Sequence, residues 1–189
     1  GGTLGYLDRG AFTCGAASVG AGGADVVLVF EPTLSSSYDL SLVAGGAADA
    51  TVSVVTQCAD IEGTCVAGAG PGEPLRVVLN AGEAYEVVGA LAGGADLGGY
   101  TLDIAAVSGD TCQHAVPAGL GSNTWAEAAA ADWYDAMGCA DLDDADGLGQ
   151  PETVYAFTPD QSEVHRLLFP GFISGVHGSV VYLTTGCGD

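Results

Sequence analysis

Lysine is absent from this chain, and arginine occurs only at Arg9, Arg76 and Arg166. Against these three cations stand 24 acidic residues, giving a formal net charge of −21. A surface of that sign repels phosphate backbones and anionic headgroups, which excludes nucleic-acid binding and membrane-surface attachment as first readings. Long apolar runs are also missing. None approaches the roughly 18 residues of a membrane-crossing helix, so no membrane insertion is expected. The opening Gly1–Tyr6 has neither the basic nor the apolar segment of a secretion signal, so any such signal was removed or lies outside this sequence. Catalytic signatures are lacking too: there is no G-x-S-x-G, no H-E-x-x-H and no Walker loop. Gly119-Leu-Gly-Ser122 is too short for a phosphate loop. His165 lies beside Arg166 in an expected strand and His177 in a turn, and neither has a placed nucleophile. The chain is therefore read as non-enzymatic.

What is present suits a packed protein. With 48% apolar and 14% charged residues over 189 positions, the chain can bury a core as one large or two small domains. The 31 glycines disfavour helix, at about 1 kcal/mol each relative to alanine, and point to strands and turns. Six cysteines, Cys14, Cys58, Cys65, Cys112, Cys139 and Cys187, make an even count that suggests disulfides and an oxidising compartment. Zinc is the rival reading. No C-x-x-C occurs, and none of His114, His165 and His177 has zinc-ligand spacing to a cysteine pair, so disulfides are preferred.

Asp25–Glu31 is a short apolar run ended by Pro32 and reads as a buried strand. Tyr38/Leu40/Leu42, Val52/Val54, Leu75/Val77/Leu79, Tyr85/Val87 and Tyr100/Leu102/Ile104 are apolar at every second position, with a turn signal at Asn80-Ala-Gly82. Such alternation puts one face in a core and one in water, as in an antiparallel sandwich. The pattern repeats. Pro151–Pro159 aligns with Ala24–Pro32, and Ser179–Cys187 with Ala50–Cys58. Thr3-Leu4 precedes Cys14 by the same 11 residues that separate Thr101-Leu102 from Cys112. Fixed offsets between separate motifs mark tandem modules. The expected organisation is a terminal or donor strand over 1–13, a complete sandwich over 14–107 and a partial one over 108–189. A partial sandwich leaves an open apolar face and bare edges. Three resolutions are open: a sequence cut from a longer array, completion of the half-module by another chain, or Thr3–Leu7 filling part of the gap by strand addition, in cis or in trans.

At Asp25–Pro32, Cys58–Cys65, Leu79-Asn-Ala-Gly-Glu-Ala-Tyr85 and Gly99-Tyr-Thr-Leu-Asp-Ile104 the chain resembles the bacterial pre-peptidase C-terminal (PPC-like) domains. The tandem forms in large secreted proteins of myxobacteria and their relatives are the nearest in kind, and the resemblance covers most of residues 12–189. It implies tandem jelly-roll-like antiparallel β-sandwiches, export, and an accessory or surface role without catalysis. It also implies that Cys58 pairs with Cys65 across a hairpin and Cys112 with Cys139. Cys14 and Cys187 are then left to pair with each other or with residues outside the sequence. The acidic cluster common after the second hairpin cysteine is missing here, since Cys65 is followed by Val-Ala-Gly-Ala-Gly.

Two features lie between the repeats. Asp141-Leu-Asp-Asp-Ala-Asp-Gly147 resembles an acidic calcium loop, with Asp141, Asp143, Asp144 and Asp146 as candidate oxygen ligands; the bland reading is a solvated acidic loop. Ser122–Glu127 has capping-box form before Ala128–Ala131, which predicts one short helix near 124–137. Trp125, Trp133 and Tyr134 on it would pack onto a sheet, or less commonly form a sugar-stacking platform. The expectation from the whole sequence is an all-β, extracellular structural or adhesive surface protein. It would assemble with itself or with neighbouring modules by strand addition, as a filament subunit for example. The alternative is a carbohydrate- or protein-binding accessory module of a larger hydrolase.

Overall fold

The computed structural model describes residues 5–7, 10–20, 25–44, 50–91, 99–122, 153–162 and 164–167. Over these residues the chain is all-β, with two short 3-10 turns, Cys58–Asp60 and Cys112–His114. It divides into two units, Gly1–Val107 and Ser108–Asp189. The helix expected near 124–137 lies outside the described residues.

In the first unit the strands are β1 (Gly5–Leu7), β2 (Phe12–Cys14), β3 (Ala17–Val19), β4 (Asp25–Phe30), β5 (Ser36–Ala44), β6 (Ala50–Val55), β7 (Cys65–Ala69), β8 (Leu75–Leu79), β9 (Tyr85–Leu91) and β10 (Tyr100–Ala106). They form a five-stranded sheet in the order β1-β4-β9-β6-β7, a three-stranded sheet in the order β10-β5-β8, and the separate hairpin β2-β3. β1 pairs with Asp25–Val27 at the edge of this unit's own five-stranded sheet. Apart from the two hairpins β2-β3 and β6-β7, each connection from β4 to β10 crosses between the two larger sheets.

The sequence pattern explains the core. Tyr38, Leu40, Leu42 and Ala44 of β5 meet Ala50, Val52 and Val54 of β6 and Tyr85, Val87 and Leu91 of β9, with Leu75, Val77 and Leu79 of β8 completing the layer. Leu40, Leu79 and Val54 have no exposed surface. Side chains of this size contribute about 1.5–3 kcal/mol each when fully buried.

The expectation of one wet face fails at the centre of the five-stranded sheet, although Val29 of β4 is exposed. All six residues of β6 are buried. A second core explains this: Phe12, Cys14 and Val19 of the β2-β3 hairpin, with Cys58 and Ile61, cover Val55, Val88 and Ala90 on the sheet's outer face. The three-stranded sheet does keep a wet face, where β8 alternates buried and exposed residues strictly.

A β-bulge decides the disulfide. The β6-β7 register shifts between Val54, which faces Ala67, and Val55, which faces Cys65. The extra residue, Val66, is exposed. Without it, period-2 alternation would put Cys65 on the same face as Ala67 and Ala69, towards the inner core. The bulge turns Cys65 to the outer face, where it packs against the second core. There it bonds Cys14, at a Cα separation of 5.4 Å. This corrects the Cys58–Cys65 pairing that the resemblance implies, and Cys187 is not the partner of Cys14. Cys58 is a buried thiol in the 3-10 turn, and its amide donates to Glu86 Oε2. Cys112 is disulfide-bonded, but its expected pairing with Cys139, like the state of Cys187, lies outside the described residues.

The turn expected at Asn80-Ala-Gly82 crosses from one sheet to the other, because β8 and β9 lie in opposite sheets. Gly82, at φ +74°, takes the left-handed turn, and its amide donates to Pro32 O at 2.9 Å. The Ala81 amide donates to Ser35 Oγ at 2.9 Å, so two sheet-crossing turns are tied together. The Tyr85 hydroxyl accepts from the Asn80 amide at 3.1 Å and donates to Glu83 Oε2 at 2.6 Å. Burial raises the Tyr85 pKa above its usual value.

The second unit shows β11 (Val116–Ala118) and β12 (Tyr155–Phe157), paired in parallel rather than antiparallel. β12 lies within the expected Pro151–Pro159 strand, whereas Val164–Leu167 is not strand. Phe157 meets His165 edge-to-face with ring centroids 5.2 Å apart. Phe30 and Tyr38, each 127 positions earlier, meet edge-to-face at 5.4 Å.

Candidate functional site

The expected ligand residues do not come together among the described residues. Asp141, Asp143, Asp144 and Asp146, the aromatics Trp125, Trp133 and Tyr134, and His177 all lie outside them. His114 ends a 3-10 turn. His165 packs on Phe157, with its Nε2 buried and without a hydrogen-bond partner among the described residues. No group of His, Cys, Asp or Glu suited to a metal occurs among the described residues.

A different feature stands out, in the first unit. Three strands face five. β10 has β5 as its strand neighbour among the described residues, paired from Tyr100↔Ala44 to Ala106↔Tyr38. Central β5 buries Leu40 and Leu42, whereas their partners on β10, Ile104 and Leu102, are only half-buried. Tyr100 and Ala106 are half-buried too. Beneath this edge is an apolar cavity of about 170 Å³, lined by Val26, Leu28, Leu42, Val87, Gly89, Tyr100 and Leu102. Gly89 helps form it, because a Cβ there would lie 2.7 Å from Leu42 Cδ2 and 2.9 Å from Val26 Cγ1. Both sheets contribute walls, so the cavity marks where the shorter sheet ends above β4.

Thr101, Asp103 and Ala105 of β10 point to solvent. One strand over, Asp39 pairs with Arg76 of β8, and Arg76 Nε and Nη2 each donate to the Asp39 carboxylate at 2.7 Å. The Arg76 hydrogen bonds, assisted by its charge, hold the Asp39 pKa below the usual 3.8. A lowered carboxylate pKa contributes stability above the unfolded value, and that contribution is lost as pH falls through the folded one. Both side chains are well exposed, so screening limits the pair to about 0.5 kcal/mol. Arg76→Ala should therefore lower the melting temperature slightly at neutral pH. The difference from wild type should vanish below the Asp39 pKa, as thermal melts from pH 7 to pH 2 would show.

Sequence alternation identified Tyr100, Leu102 and Leu42 as core-facing. It carried no signal that β10 would form an edge or that Leu28 would line a cavity, because strand order leaves no trace in period-2 patterning. In the second unit, Leu167 stands 127 positions after Leu40; Leu167 is 55% exposed and Leu40 0%.

Comparison with protein-family models, curated proteins and solved structures finds no match. Among the described residues, no helix is long and apolar enough to cross a membrane.

Proposed function

We propose that this is an extracellular, non-catalytic structural or adhesive surface protein of tandem PPC-like modules that engages neighbouring chains by strand addition. The observation that carries this reading is the three-against-five sheet mismatch, with half-buried β10 above an apolar cavity. A strand laid beside β10 gains main-chain hydrogen bonds and covers the cavity together, which is the physical basis of β-augmentation. The Cys14–Cys65 disulfide is compatible with an oxidising compartment outside the cell. Calcium at Asp141–Asp146 and filament growth by head-to-tail addition belong to the same reading.

The test is hydrogen exchange of the β10 amides alongside light scattering and negative-stain imaging over a range of protein concentration. Association that protects Tyr100–Ala106 is expected, and Leu102→Asp should abolish it while leaving the far-ultraviolet circular dichroism unchanged. A monomer with unprotected β10 under all conditions, together with specific glycan-array hits, would replace this reading with that of a carbohydrate-binding accessory module.

A further inference from the structure

The geometry points to a specific kind of partner for the β10 edge: an extended cationic segment of another protein, alternating basic and apolar residues, with one large apolar side chain that fills the cavity. This rests on the strand-addition reading and names its partner. The first argument is charge. Asp103 is exposed at the middle of β10's outward row, and among the described residues no cation lies within ion-pair reach of it. A strand added beside β10 places one of its own outward residues directly across from Asp103. Opposite charges in such cross-strand pairs stabilise and like charges destabilise. A second copy would hold this edge more weakly than such a segment and be displaced by it, because two chains each carrying −21 repel at long range. This chain has three basic residues, and Arg76 is already committed to Asp39.

The second argument is shape. The residues alternating with the basic ones would point inward over Leu28 and Leu102. An engineered apolar cavity of about 150 Å³ holds a benzene molecule, so a volume of about 170 Å³ admits one phenylalanine or leucine side chain. The cavity walls are aliphatic apart from Tyr100, so the anchor must be apolar while its neighbours in sequence are cationic.

The probe is a pair of ten-residue synthetic peptides, each alternating apolar residues with charged ones and carrying one central phenylalanine. One has lysine at the charged positions and the other glutamate. Affinity is read by calorimetry and location by β10 amide protection, in wild type, in Asp103→Asn and in Asp160→Asn, which makes the same change of net charge at an exposed site in the second unit. The lysine peptide should protect Tyr100–Ala106 and bind at least tenfold tighter than the glutamate peptide. Its affinity should fall about threefold in Asp103→Asn and stay unchanged in Asp160→Asn. Replacing phenylalanine with alanine in the peptide should weaken binding at least tenfold. Equal affinity of the two peptides, or equal losses in the two variants, would overturn the cationic partner while leaving strand addition standing. Self-association that protects β10 and excludes both peptides would make a second copy the occupant. Absence of β10 protection by any peptide would overturn strand addition itself.

Discussion

Gly68→Ala should destabilise the first unit by about 3 kcal/mol, the upper end of the usual cost of forcing extra volume into a packed site. A Cβ at Gly68 would lie 2.1 Å from the Cys14 carbonyl oxygen and 3.0 Å from Ala17 Cβ. The first neighbour is backbone and cannot rotate away. It belongs to a close approach that the fold needs, because the Ala16 amide donates to Gly68 O at 2.9 Å. Gly15, at φ +57°, brings the hairpin tip down onto that point. Alanine at 68 must lift the β2-β3 hairpin from β7 and loosen Phe12, Cys14 and Val19 over Val55 and Val88. For a unit of this size the fall in melting temperature should be about 10 °C or more. Gly82→Ala is the control for backbone strain alone, since nothing lies within 4 Å of its Cβ position and only its φ of +74° opposes the change. It should cost about 1–2 kcal/mol. Calorimetry of both variants decides the matter; a Gly68→Ala melt no lower than that of Gly82→Ala would mean that the hairpin is not clamped to β7.

The same contact shows where the sequence was legible. Strands with clean alternation, such as Leu75–Leu79 and Tyr100–Ala106, were expected at almost the positions they take, because half-buried strands leave a period-2 trace. β2, β3 and β7 were not expected. They are short or rich in Gly and Ala, and β2 and β3 pack as a cover on a sheet rather than as members of it. One inserted residue, Val66, reversed the phase of β7 and moved Cys65 from the side facing the inner core to the side facing Cys14. A phase change of that kind has no compositional mark, so the disulfide partner could not be read from spacing. The sheet-crossing turn at Asn80–Glu83 has the turn chemistry of a hairpin, and only the hydrogen bonds to Pro32 and Ser35 distinguish it. The cavity under β10 depends on strand order across two sheets, a long-range property beyond local patterning.

Removing the Cys14–Cys65 bond should be the other large perturbation. Its partners are 51 residues apart, and a loop of that length gives about 4 kcal/mol of stabilisation on the chain-entropy account. Cys14→Ala isolates this bond, whereas reductant would also open the one at Cys112. The expected result is a loss of about 3–4 kcal/mol and a melting temperature lower by more than 10 °C. The chain-entropy term acts through the unfolded state, but the hairpin makes the variant informative about the native one. With the bond intact, Gly68→Ala cannot release the hairpin and must strain it. Without the bond, the hairpin can detach, so the clash is relieved at the smaller cost of exposing the second core. The two losses should therefore be sub-additive, with a coupling of about 1 kcal/mol or more in a double-mutant cycle. Strictly additive losses would show that Gly68 and Cys14 act through separate structures. An unchanged melt for Cys14→Ala would show that the bond does not hold the cover in place. Sub-additivity would establish that the centre of the five-stranded sheet, where β6 and β9 are buried on both faces, depends on a cover that a single covalent bond keeps seated.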